Sequence, residues 1–233
     1  MAAELPDSLW WRGGELVRFG SIASSGCVVK PERTAEFVRF KNRHPSLLSS
    51  LNFREPAGLS PMTAPPRIET HIFKDDGKTP NNPTLPVVLM RHTAAADSPD
   101  PAAWFESRFS LHGWGACWRW GVYPYHHFHP DNHEVLGVFR GEATLMLGGA
   151  NGEEFHVRAG DVLILPAGTG HKCQSSSADF QVVGAYPDGM EPDLIRSGQT
   201  ELEWLRHRIG EVAIPKEDPV FGTDGPLFEY WPR

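Results

Sequence analysis

From Leu85 to Pro187 the chain is cut by turn residues into short runs of strand-forming side chains, and this rhythm limits its fold more than any other feature. LPVVLMR (85–91) comes first, after the turn signal PNNP. Seven more follow: ACWRWGVYPYHHFH (116–129), VLGVFRG (135–141), ATLMLGG (143–149), EEFHVRAG (153–160), DVLILPAG (161–168), HKCQ (171–174) and DFQVVGAYP (179–187). Short strands at this spacing predict an antiparallel barrel or sandwich. Two helices are expected beside it. DPAAWFESRFSLHGW (100–114) offers Asp100 as N-cap, Pro101 at the first helical position and Gly113 as stop. QTELEWLRHRIGEV (199–212) places Leu202, Leu205 and Ile209 on one stripe.

The 233 residues suit one sizeable domain. Residues 1–61 show neither a helical period nor clean alternation and end in EPAGLSPMTAPP, so they are read as a disordered or extraneous leader. One form of that hypothesis has translation begin at Met62; the competing reading is an added helix or strand carrying Trp10, Trp11 and Phe37. Residues 62–233 are then one domain, with a barrel core at about 80–187 and a C-terminal helix and tail at 188–233. The net charge of −7 argues against nucleic acid as main partner. It is unevenly spread, since the leader carries +2 and the rest −9. No apolar run is long enough for a membrane helix, and the first residues lack the basic and apolar regions of a secretory signal. Cys27, Cys117 and Cys173 are too scattered for a disulfide framework, and the expected address is the cytoplasm.

The chemistry is concentrated after Gly121. Five residues on comes His127-Phe128-His129, then after four more Glu134, and after six more Gly141. A second block runs from Gly160 through Pro166-Ala167-Gly168 to His171. Two histidines two apart on a strand project to one face. Glu134 can return to them across the turn PDNH, and His171 can reach them from a hairpin that PAGTGH tightens. Three imidazoles and a carboxylate converging on one point suit a divalent transition metal and leave positions for water, substrate or dioxygen. His126 alternates to the outer face. His133 lies in the turn and competes with Glu134, which the spacing favours.

These two blocks resemble the paired motifs of the cupin superfamily, G-x5-H-x-H-x(3,4)-E-x6-G and G-x5-P-x-G-x2-H-x3-N. Every fixed position is filled except the last, where Ser175 replaces Asn; that Asn is not a ligand in the family. The resemblance covers about 80–187, and the flanks resemble, more loosely, a bacterial subgroup of small cupins, the YjlB-type proteins. It implies an all-β double-stranded β-helix, a jelly-roll barrel with a few flanking helices. It also implies a metal (Fe, Zn, Mn or Ni) held by His127, His129, Glu134 and His171, and frequent homodimers.

Around that centre, Arg119, Tyr123 and Tyr125 share the alternating face of His127 if the register runs unbroken through Pro124. They are candidates for binding a substrate, Arg119 for a carboxylate or phosphate. The competing reading has the tyrosines fill the wall and Arg119 pair with an acid at the core edge. Cys173 shares a face with His171, as a ligand-side residue or a small hydrophobe. Trp118 and Trp120 are expected on the opposite face, against the Trp104 helix or a second subunit. Three functions follow: a metal-dependent oxygenase, or isomerase or lyase, acting on a small organic molecule; a non-catalytic small-ligand binding or sensing protein; and a storage-like role, which a lone barrel with complete ligands disfavours.

Overall fold

The computed structural model describes residues 65–199 and 201–232, and the backbone of two further strands, β1 (Leu9–Arg12) and β2 (Glu15–Arg18). These two pair antiparallel, Leu9 opposite Arg18 and Arg12 opposite Glu15. Gly13-Gly14, a dipeptide typical of hairpin turns, separates them in sequence. The other residues of the 1–61 leader, with Phe37 and Met62, lie outside the described residues.

The body is two antiparallel sheets. One has the order β3 (Arg67–His71), β4 (Val87–Arg91), β10 (Val162–Leu165), β7 (Glu134–Arg140), β12 (Gln181–Pro187) and β5 (Trp114–Trp120). The other runs β13 (Ile195–Arg196), β6 (His127–Phe128), β11 (His171–Ser176), β8 (Glu142–Leu147) and β9 (Glu153–Arg158). This is the expected all-β jelly roll. The inner strands of the first sheet, β4, β10, β7 and β12, are largely apolar on both faces because each face is covered. Val87, Leu89, Leu136, Val138, Leu163 and Val182 turn inward and meet Leu145, Leu147, Phe155 and Val157 of the second sheet.

The outward set, Val88, Met90, Val135, Val162, Ile164, Val183 and Ala185, is covered by helix α1 (Pro101–Leu111) and the C-terminal residues Val220, Leu227 and Trp231. α1 begins as its sequence predicts: the Asp100 carboxylate accepts the Ala103 N–H at 3.0 Å. It lies so close to β7 that a Cβ on Gly137 would stand 2.7 Å from the Phe105 ring. Helix α2 (Leu202–Gly210) buries Leu205 and Ile209 against Phe128 and Ala167, and a single turn, α3 (Leu227–Tyr230), closes the chain. No helix among the described residues is long and apolar enough to cross a membrane.

The expected single strand over 116–129 is two. β5 stops at Trp120 and β6 starts at His127, and the residues between, Pro124 among them, make no strand. Alternation is lost across that gap. β3 and β13 were not expected: β3 is an edge strand held only by β4, and β13 is two residues long.

Candidate metal centre

Phe128 explains why the two histidines around it act together. Its ring is buried in the apolar cluster under α2, so the chain must turn its neighbours His127 and His129 the other way. β11 pairs with β6 at His171–His127, which sets those two rings 4.0 Å apart, centre to centre. One ring nitrogen from each of His127, His129 and His171 lies within 4.8 Å of the others, and all three residues are buried. β7 supplies Glu134 from its first inward position, ahead of Leu136 and Val138.

Each imidazole is oriented by a backbone carbonyl. His127 Nδ1 donates to Tyr125 O at 3.1 Å, His129 Nδ1 to Asp193 O at 2.8 Å, and His171 Nδ1 to Thr169 O at 3.0 Å. A carbonyl only accepts, so the proton of each neutral ring sits on Nδ1 and Nε2 keeps its lone pair. Those lone pairs face Glu134, whose Oε2 is 3.2 Å from His171 Nε2 and 3.7 Å from His129 Nε2. With the rings neutral, this fully buried oxygen receives no hydrogen bond. Burial, then the adjacent His171 and His129, push His127 well below its ordinary value, so it stays neutral. For Glu134 burial resists ionisation, but His129 and His171, which favour the carboxylate only as cations or hydrogen-bond donors, outweigh it and hold the carboxyl well below the ordinary range. The centre therefore calls for positive charge beside Glu134, and a divalent cation among three imidazole nitrogens and a carboxylate meets that need. The donor set fits a transition metal.

The turn between the ligands, PDNH, is used residue by residue. Asp131 accepts the Asp193 N–H at 3.0 Å. Asn132 donates to Pro187 O and Met190 O at 3.2 and 2.8 Å. His133 accepts the Ala167 N–H on Nδ1 at 2.9 Å and donates from Nε2 to Ala213 O at 3.2 Å. Both its nitrogens are engaged in the frame, and burial lowers its pKa to about 4. His126 does not line the cleft at the centre. The hairpin that presents His171 rests on PNNP. Asn81 accepts the Gly170 N–H at 3.0 Å and donates to Gly148 O, while Asn82 donates to Ala167 O at 3.1 Å. Gly168 takes a φ of 88°, which favours glycine. In the sequence PNNP is only a turn signal, yet Asn81, Asn82 and the preceding Thr79 are buried supports.

A narrow cleft opens on the centre, walled by Trp118, Val122, Tyr123, Leu136, Tyr186 and Leu194 besides the candidate ligands. Tyr123 is where the sequence placed it, edge-on to His127 with ring centres 5.1 Å apart. Tyr125 stacks on Tyr123 at 4.8 Å but does not line the cleft; the Arg196 guanidinium lies 3.9 Å over its ring. Arg119 has to be moved away. Its guanidinium forks onto Glu106 of α1 at 2.6 and 2.7 Å, on the outer face of the sheet. Trp118, expected outside, is the residue that faces the centre, its indole N–H donating to Tyr186 Oη at 3.0 Å. The break between β5 and β6 exchanges the two faces. Cys173 points inward, as alternation requires, but sits in the apolar core rather than the cleft. Tyr186 was missed. Its place could be drawn from β12, where Val182, Gly184 and Tyr186 alternate inward and Gly184 leaves space that the Trp118 ring fills.

Comparison with known proteins agrees with this architecture. A family model described as the cupin domain matches residues 121–183, the stretch that carries all four candidate ligands. The uncharacterized protein YjlB of Bacillus subtilis (strain 168) is 40% identical over 163 residues, covering 70% of this chain and 96% of that protein. Among solved structures, a double-stranded β-helix protein from Klebsiella pneumoniae is 19% identical, with a TM-score of 0.29 and coverage of 55% of this chain and 90% of that one. The 11S allergen of Cocos nucifera is 20% identical, with a TM-score of 0.30 over 34% of this chain; the match spans about a quarter (24%) of the allergen.

Proposed function

The chain belongs to the cupin family as a member of the YjlB type, and on that premise we propose that it is a metal-dependent oxygenase acting on a small organic molecule. One observation carries the reading: the buried Glu134 oxygen faces imidazole nitrogens whose protons are committed to backbone carbonyls. Three imidazole nitrogens and a carboxylate converging on one buried point form the donor arrangement of a transition-metal centre. His127, His129 and His171 with Glu134 would hold the ion, and Fe, Mn, Ni and Zn all accept this donor set. When bound, the ion would supply Lewis acidity toward an oxygen donor of the substrate and, if it is iron, a route to dioxygen.

The rest falls to the walls. Trp118, Val122, Leu136 and Leu194 exclude water and favour a largely apolar body. No Lys or Arg stands among the described lining residues, which argues against a polyanionic substrate. Tyr123 and Tyr186 flank the ligands and would orient the substrate's polar end. The test is metal identity in protein purified anaerobically without an affinity-metal step, followed by dioxygen uptake with small phenols, thiols and keto acids. Iron with uptake coupled to one of these supports the proposal. Zinc, nickel or manganese without uptake would move the reading to an isomerase or lyase, and a metal with no turnover of any kind to a non-catalytic ligand-binding protein.

A further inference from the structure

His129 differs from its two partners in how its carbonyl is held. Tyr125 O and Thr169 O lie two residues from the histidines they orient, so local chain geometry fixes them. The carbonyl for His129 belongs to Asp193, 64 residues away on the segment between β12 and β13. That segment also carries Leu194, a wall of the cleft. It needs an anchor, and the anchor is on α2. Arg208 donates from Nη1 to the Asp193 carboxylate at 3.0 Å and from Nη2 to the Asp131 carboxylate at 2.8 Å. Asp131 in turn accepts the Asp193 backbone N–H at 3.0 Å. One guanidinium thus bridges the turn that follows His129 and the segment that orients it. A planar fork with two donor directions can do this; a lysine ammonium at the same place cannot reproduce it.

The structure assigns Arg208 as a positioning residue of the metal centre: it fixes the Asp193 carbonyl that holds the His129 proton on Nδ1 and turns Nε2 toward Glu134. The assignment rests on the proposed metal site. Loss of a group that orients a metal-binding histidine weakens metal affinity by roughly ten- to a hundredfold, and the lower end is expected here because Asp131 still holds the Asp193 N–H.

The experiment compares wild type, Arg208→Ala, Arg208→Lys and, as control, Arg206→Ala. Arg206 sits on the same helix and bonds Asp75 at 2.8 Å, away from the centre. Two quantities are read: cobalt(II) affinity, with the visible spectrum of the bound ion, and the His129 ring tautomer by ¹⁵N NMR of the metal-free protein. Arg208→Ala should bind cobalt about tenfold more weakly, with an altered spectrum and a mixed His129 tautomer. Arg208→Lys should resemble it, and Arg206→Ala should match wild type. If wild type binds cobalt and Arg208→Ala or Arg208→Lys matches it in affinity and tautomer, the assignment is wrong and the metal site stands. If wild type takes up no cobalt, the metal reading itself fails and takes the assignment with it. Should Arg208→Ala not fold, Arg208→Lys carries the same test.

Discussion

Two stretches of the same interior, a few residues apart on shared strands, do opposite work. On β7 the inward positions run Glu134, Leu136, Val138, and on β11 they run His171, Cys173. The first residue of each belongs to a polar centre of imidazoles and a carboxylate; the next belong to a closed apolar core with Leu145, Phe155 and Val157. The polar end contributes a site and the apolar end contributes the fold. The difference teaches that metal and stability should be separable, because the barrel is closed by hydrophobic contact rather than by ligands.

The comparison breaks most visibly at its apolar end. Leu145 is fully buried in the core between the sheets, and Leu145→Ala should cost about 2–5 kcal/mol in urea unfolding. Metal bound per folded molecule should stay at the wild-type level. A proportional loss of metal would mean that the two ends are one unit.

A second effect lies at the boundary. His133 sits between two ligands in sequence but is tied into the frame, with a pKa lowered to about 4 from an ordinary 6.5. The folded protein therefore binds fewer protons than the unfolded chain between those values. Stability is present in full above about pH 6.5 and is lost as pH falls toward 4, by about 3 kcal/mol for this group. His133→Gln keeps a donor and an acceptor and does not titrate, so its stability should fall less steeply over that window. Groups other than residue 133 are common to both proteins and cancel in the comparison. Equal slopes would contradict the assignment of His133 to the frame.

The smallest effect sharpens the polar end. In metal-free protein Glu134→Gln removes a carboxylate that the fold holds ionised beside His129 and His171, 3.2 Å from His171 Nε2. The metal-free variant should be less stable at neutral pH by about 1–3 kcal/mol, and its metal affinity should fall. A more stable variant would show that Glu134 lacks a partner until a cation binds.

Most of this contrast could be read from the chain, for identifiable reasons. The convergence of His127, His129, Glu134 and His171 was legible because it depends on short-range rules: alternation across His127-Phe128-His129, a turn before Glu134 and a tight hairpin before His171. The helix at Pro101 was legible from its cap. The faces of Arg119 and Trp118 hung on whether parity runs through residues 121–126, where no strand exists to carry it. The competing reading of Arg119 as the partner of an acid agrees with its fork onto Glu106. The supporting asparagines, Asn81 and Asn82, were hidden for a different reason. Their partners, Gly170 and Ala167, are 89 and 85 residues away, and polar residues next to prolines give the same local signal whether buried or exposed. Arg208 was equally hidden, since on the α2 stripe it reads as an ordinary surface charge.

The central claim is most directly tested by metal content. Wild type and a His127→Ala/His129→Ala variant would be purified anaerobically without an affinity-metal step, checked for fold by circular dichroism and analysed for bound elements. The account predicts near-stoichiometric transition metal in wild type and none in a variant that is still a folded barrel. A folded variant with full metal content, or a wild type with none, would contradict it.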